Sequence, residues 1–228
     1  MRALDRPQRH DRAWLKADWR EFLLSSLAPL DEAIVRDWIV CGRPLVVARS
    51  LADDPTGSIR LGLALPGKRR LCMVVEQKAI ARLAPPMLLE ETISTAPLRW
   101  RKPLGELISE FALLGLSLRV FGSLTWHCFA AAGSEERDTG YLTSTSDIDL
   151  LAAPRSMNEC ATACRVLAEF EVDHPALRLD GEFSFPDASA VSWQEFASHP
   201  PHVLVKRMHE VVVLPFSSLE GLFVRMAA

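Results

Sequence analysis

The sequence lacks a basic surplus. Its 26 Lys and Arg residues are outnumbered by 29 Asp and Glu, for a net charge of -3. Nothing therefore draws a nucleic acid onto the whole surface, although a local basic pocket for a phosphorylated small molecule remains compatible with that balance. Long apolar runs are also missing: stretches such as Phe111–Leu116 are far too short to span a bilayer. Met1 to Arg20 is rich in Arg, Asp and His and has no apolar run, so it does not read as a signal peptide. The five cysteines, Cys41, Cys72, Cys128, Cys160 and Cys164, show no CxxC spacing, which predicts reduced thiols in a cytoplasmic protein. Cys160 and Cys164 share a helix face but have no second pair to complete a zinc set. No internal repeat or low-complexity tract is visible.

What remains is an ordinary globular composition, 49% hydrophobic and 24% charged over 228 residues, enough for one large domain or two small ones. In the first half, a helix is expected with Trp14, Trp19 and Phe22 on one face. Pro44–Ala48 reads as a buried strand, and Ile59–Leu65 and Leu71–Val75 as a hairpin turning at Pro66-Gly67-Lys68. A helix from Glu76 to Leu83 is expected to stop at Pro85-Pro86. The composition breaks between Pro85 and Pro103, so the chain is divided into an N-terminal domain at 1–90 and a second at 91–228, with a ligand expected between them.

In the second half, apolar residues at 104, 107, 108, 111 and 114 predict a helix, followed by a strand at Ser117–Phe121 and a further helix through Trp126 and Phe129. After a polar stretch from Gly133 to Gly140 comes the strand Ser146-Asp147-Ile148-Asp149-Leu150-Leu151. Ser156 to Glu159 is a capping box opening a helix that runs to about Phe170. Leu177–Phe185 alternates strictly and is expected as a strand, with two more at Val203–Lys206 and Val211–Leu214. This order predicts an α+β (or α/β) mixed-sheet domain beside a smaller α+β module.

Asp147 and Asp149 stand at i and i+2 of a strand, so both carboxylates project from one face. Two like charges side by side call for a cation, and Mg2+ suits carboxylates combined with substrate phosphates. Phe121-Gly122-Ser123 joins a strand end to a helix start, where glycine allows close backbone approach and free N–H groups attract phosphate. A third carboxylate is expected on the Leu177–Phe185 strand, where Asp180 and Glu182 share a face; Glu182 is the favoured one. Alone, an Asp-x-Asp is usually a solvated strand edge, and Gly-Ser a common turn. The joint order of strand, Gly-Ser, helix, Asp-x-Asp strand and acidic strand points to in-line attack of a hydroxyl on phosphorus with pyrophosphate leaving.

The pattern "FGS…SDIDLL" resembles the signature of the DNA polymerase β-type nucleotidyltransferases, with a longer interval between Ser123 and Asp147 and Gly133–Thr139 reading as an inserted loop. More specifically, "RHDRAWL" (Arg9–Leu15), "GRPLVVAR" (Gly42–Arg49), "FGSLTWH" (Phe121–His127), "YLTSTSDIDLL" (Tyr141–Leu151), "LDGEFSFPD" (Leu179–Asp187), "VSWQE" (Val191–Glu195) and "VLVK" (Val203–Lys206) follow one another in order. Together they resemble the phosphoribosyl-dephospho-CoA transferases of malonate decarboxylase systems. That resemblance implies transfer from 2'-(5-triphosphoribosyl)-3'-dephospho-CoA to a serine of the apo acyl-carrier subunit. Asp147 and Asp149 would then be the catalytic metal-binding pair, with Gly122 and Ser123 holding the triphosphate and Lys206 neutralising it; the third carboxylate remains Glu182, favoured from the strand reading, or Asp180. Arg12 and Arg43, with Arg49, are candidates for the donor's phosphates or the carrier's acidic surface. His10 and His127 are weaker candidates as bases, Trp126 and Trp193 as stacking platforms, and Lys68-Arg69-Arg70 as a docking patch. The competing expectations are an ATP-dependent nucleotidyltransferase acting on another hydroxyl, and an inactive binding protein of the same fold.

Overall fold

The computed structural model describes residues 7–132 and 139–224, so the expected inserted loop, apart from Thr139, lies outside the described residues. The chain forms two compact units with an α+β composition. One is built by the chain up to Pro86, with Thr139–Tyr141 and Met208–Glu210; the other comprises the chain from Met87, Leu142–Arg207 and the stretch from Val211 onward. Among the described residues, no helix is long and apolar enough to cross a membrane.

In the first unit, β1 (Arg12–Leu15), β2 (Leu45–Val47), β3 (Ser58–Ala64), β4 (Arg70–Glu76) and β5 (Ile80–Ala84) form an antiparallel sheet in the order β4-β3-β2-β1-β5, with α1 (Pro29–Val40) in the connection from β1 to β2. Alternation decides the packing. Ala13 and Leu15, Leu45 and Val47, and Ile59, Leu61 and Leu63 are buried, and their neighbours are less so. The β3–β4 hairpin turns at Pro66–Lys68 as expected. Two sequence expectations fail here. Arg12–Leu15 is a strand and only Trp19–Phe22 is helical, as a 3-10 turn, because β1 lies between β2 and β5 and both its edges are paired. The helix expected over Glu76–Leu83 is a 3-10 turn at Gln77–Ala79 followed by β5, which pairs with β1. Ladder bonds override a short helical spacing in both cases. The sequence reading also passed over α1, whose Val35 and Trp38 are buried and whose Trp38 Nε1 donates to Pro44 O at 2.9 Å.

The second unit contains β6 (Met87–Leu88), α2 (Leu89–Thr92), α3 (Leu98–Leu113), β7 (Arg119–Phe121), α4 (Gly122–Ala131), β8 (Ile148–Ala152), α5 (Met157–Asp173), β9 (Leu179–Ser184), β10 (Ala190–Ser192), α6 (Trp193–Ser198), β11 (His202–Lys206) and β12 (Val211–Pro215). Its strands form one mixed sheet, β12-β11-β10-β9-β8-β7-β6, in which only β8 and β9 are parallel among the described pairs. A parallel pair needs a crossover, and α5 supplies it. Ser156 caps α5 by accepting from Glu159 N at 3.2 Å, while the Glu159 carboxylate accepts from Arg155 N at 2.8 Å. Helix α3 begins at Leu98, ahead of the expected Leu104, and accommodates Pro103 in its second turn. One sheet face buries Ile148, Leu150, Leu179, Phe183, Val203 and Val205 against Trp100, Leu104, Leu107 and Phe111 of α3 and Cys160, Cys164 and Leu167 of α5. Strand alternation leaves the opposite face to Asp149, Asp180, Glu182 and Lys206.

Candidate active site

The site begins where β7 hands over to α4. Gly122 has φ +65°, a conformation that side-chain-bearing residues adopt at a cost, and it turns the chain directly from strand to helix. The Asp149 carboxylate occupies the space a side chain would need. A methyl group at Gly122 would lie 2.5 Å from Asp149 Cγ and closer still to Oδ2. The antiparallel register explains the meeting, because Phe121 is opposite Asp149. A carboxylate is thereby held against the first turn of α4, whose unpaired N–H groups carry the helix's positive end. Ser123, the next residue, donates from Oγ to Asp147 O over a long 3.4 Å. The structure therefore places Gly122, Ser123, Asp147 and Asp149 in one corner.

Asp147 stands one residue ahead of β8, yet the chain is already extended there because Ile148 N donates to Arg178 O at 2.9 Å. The parallel register then sets Asp149 beside Asp180. Across from Asp147 the guanidinium of Arg178 closes a two-pronged pair: Nε is 3.0 Å from Oδ1 and Nη2 donates to Oδ2 at 3.4 Å. The Oδ1 contact is an ion pair without hydrogen-bond alignment, so Asp147 Oδ1 is a buried oxygen with no hydrogen bond of its own. Arg178 was missed from the sequence. Its signal was its place two residues before Asp180 on an alternating strand, which puts it on the acidic face.

Glu182 is placed differently from the role expected of it. Its register partner on β8 is Leu151, one strand period beyond Asp149, and its side chain is only 5% exposed. A carboxylate buried to that degree needs a counter-charge, and Lys206 Nζ donates to Glu182 Oε1 at 2.7 Å. Lys206, expected to neutralise phosphate, is paired with Glu182 in this structure. The register favours Asp180 over Glu182 as the carboxylate beside the Asp pair. Among the described residues, no group of three or more His, Cys, Asp or Glu side chains is already gathered closely enough to hold a metal ion.

The remaining candidates have local partners. Arg12 and Arg43 belong to the first unit. Arg12 Nε donates to Pro85 O at 2.8 Å, and the guanidinium of Arg43 stacks 5.0 Å from the Trp38 ring centre. His127 is buried with Nε2 3.0 Å from Thr95 O, and Trp126 packs edge-on against Phe129 at 5.7 Å between ring centres. Trp193 is buried in the core of the second unit, and Arg69 is paired with Asp31. Cys160 and Cys164 are free thiols in the same core, with burial pushing them up to about 12 and about 11.

Comparison with known proteins covers nearly the whole chain. Residues 87–216 match the family described as phosphoribosyl-dephospho-CoA transferase MdcG C-terminal domain, and residues 8–86 match its N-terminal domain. A protein named phosphoribosyl-dephospho-CoA transferase from Xanthomonas campestris pv. campestris is 34% identical over 214 residues, covering 92% of this chain and 95% of the relative. One of the same name from Bradyrhizobium diazoefficiens is 32% identical over 212 residues, covering 91% and 90%. No solved structure matches the chain.

Proposed function

Since the chain belongs to the phosphoribosyl-dephospho-CoA transferase family, a family of transferase enzymes, we propose that it charges the acyl-carrier subunit of a malonate decarboxylase. The donor is 2'-(5-triphosphoribosyl)-3'-dephospho-CoA, and the acceptor is a serine of the apo carrier. The serine oxygen attacks the phosphorus attached to the ribose. The bond from that phosphorus to the pyrophosphate breaks, a phosphodiester forms, the serine proton is lost and pyrophosphate leaves. The observation that carries the reading is the Gly122 corner, where a helix N-terminus and the Asp149 carboxylate share one point on a strand edge. A donor phosphate and a carboxylate can meet there only if a cation stands between them.

The carboxylates fit such a cation. Asp147 offers a buried oxygen without a hydrogen bond, Asp149 is fixed by the turn, and Asp180 stands beside it on β9. Asp147, Asp149 and Asp180 would hold Mg2+, which when bound supplies charge neutralisation at the phosphates and activation of the attacking hydroxyl. The chain's own part is orientation. The start of α4, with Gly122 and Ser123, receives the phosphate oxygens. The Glu182–Lys206 pair stiffens the neighbouring strands rather than touching the donor. The five free cysteines among the described residues agree with a reducing, cytoplasmic compartment.

The test is a mass-spectrometric transfer assay with Mg2+, the triphosphoribosyl donor, apo carrier and ATP as competitor. The expected outcome is a carrier mass gain of one phosphoribosyl-dephospho-CoA group, lost with Asp147→Asn. An AMP adduct formed only from ATP would assign the chain a different nucleotidyl donor, and no adduct from either would refute transfer to this carrier.

A further inference from the structure

Resting on that reaction, we infer that Arg178 is a substrate-binding residue: it neutralises Asp147 in the empty site and passes to the donor's phosphates when the site is loaded. Four positions share one sheet face. Parallel pairing of β8 with β9 sets Asp149 beside Asp180, and the bond from Ile148 N to Arg178 O sets Asp147 beside Arg178. Neighbouring strands are about 4.8 Å apart, so these four positions, three acidic and one basic, are neighbours at one end of the sheet face, although the Asp180 carboxylate accepts from Gly181 N at 2.7 Å and the three carboxylates are not drawn together. Counted by themselves, the four side chains sum to two negative charges, a balance that suits a divalent cation.

Arg178 meets Asp147 with both prongs, at 3.0 Å and 3.4 Å. The pair is not a stability device, because the Arg178 side chain is 71% exposed and an exposed pair of this kind contributes little. Its backbone is fixed by the β8–β9 ladder while its head is in solvent, so the guanidinium can move without disturbing the fold. A cation accepted by Asp147 competes directly with the guanidinium for Oδ1 and Oδ2. The released fork then has the planar two-donor geometry that suits phosphate oxygens, and it is tethered beside the carboxylates that face them. Its natural partner is the pyrophosphate end of the donor, the part that gathers charge as it leaves.

The exchange predicts effects of opposite sign in one variant, both read without turnover. In Arg178→Ala, Mn2+ binding in the absence of phosphate should tighten roughly 2- to 5-fold, because a competitor for Asp147 is gone. Binding of inorganic pyrophosphate to the Mn2+-loaded protein should weaken roughly 10- to 100-fold, the usual range for lost charge-assisted hydrogen bonds. Arg178→Lys keeps the charge and loses the fork, so it should retain wild-type Mn2+ affinity and fall between the two in pyrophosphate binding. Calorimetric titration of the full chain measures all three, with an unchanged thermal midpoint as the folding control. Unaltered pyrophosphate binding in Arg178→Ala, or weakened Mn2+ binding, would overturn the inference and leave Arg178 as a clamp on Asp147. A wild type that binds no Mn2+ would instead overturn the carboxylate site itself, and this is distinguishable from the previous result at the first titration.

Discussion

Gly122→Ala tests the corner on which the proposed chemistry depends. Two effects are superimposed in this substitution and can be separated. The first is backbone strain, since alanine at φ +65° costs about 1–2 kcal/mol. The second is displacement, since the new methyl would begin 2.5 Å from Asp149 Cγ. Carbon atoms rest at about 3.5–4.0 Å, so the carboxylate or the helix must retreat by about 1 Å. A shift of that size at a reacting centre costs on the order of 100-fold in rate. Gly115→Ala provides the control. Gly115 has φ +68°, but a methyl there would meet only Arg155 Nη2 at an ordinary 3.7 Å. Both variants should lower the thermal midpoint by about 2–4 °C for each 1 kcal/mol lost. Only Gly122→Ala should lose transfer, by about 100-fold in kcat/KM with the carrier assay. Equal activity of the two variants, both folded, would mean that the position of Asp149 behind Gly122 does not matter to the reaction.

The two acidic residues of β9 should separate by assay. Asp180→Asn should abolish Mn2+ binding at unchanged thermal midpoint, because Asp180 is exposed; Glu182→Gln should leave Mn2+ binding measurable and lower stability by about 1–3 kcal/mol through the lost ion pair with Lys206. The reverse pattern would return Glu182 to the metal site. Thiol titration at pH 8 should find Cys41 and Cys72 reactive, with Cys128, Cys160 and Cys164 silent until denaturant is added. Burial also gives the fold an alkaline limit: folded Tyr141 and Cys160 are pushed up to about 12 and Cys164 to about 11, from 10.0 and 9.0. Their stabilising contribution is complete below pH 9 and is lost as pH rises through 11 to 12, so a denaturation midpoint that does not fall across that range would contradict their burial.

Elements were legible where one local signal dominated. The β3–β4 hairpin carries alternation on both sides of a Pro-Gly turn, and α5 carries a cap followed by a buried face that includes Cys160, Ala163 and Leu167. The first unit's β1 and β5 were misread because each is only four or five residues long, too short for period 2 and period 3.6 to be told apart. What makes Arg12–Leu15 a strand is its pairing with residues at 45–46 and 80–84, and no window around it contains those partners. Short β10, inserted between β9 and β11, escaped for the same reason.

The site was legible up to the limit set by register. Strand period alone places Asp147 with Asp149, and Asp180 with Glu182, on their respective faces; it cannot say how far one strand is slid along the other. A slide of two residues preserves every facing relation while exchanging Asp180 for Glu182 beside Asp149. The structure resolves this through Gly181, where a methyl would come within 3.0 Å of Leu150 C and closer to Leu150 O. Only a glycine fits against β8 at that point, so Gly181 locks opposite Leu150 and Asp180 falls opposite Asp149. Burial then follows from the register, since Glu182 is carried inward beside Leu151 and needs Lys206, while Asp180 and Arg178 are left at the open edge. A residue with side-chain bulk at 181 would therefore do more than weaken a strand. It would release the slide, and with it the assignment of which carboxylate stands beside the Asp pair.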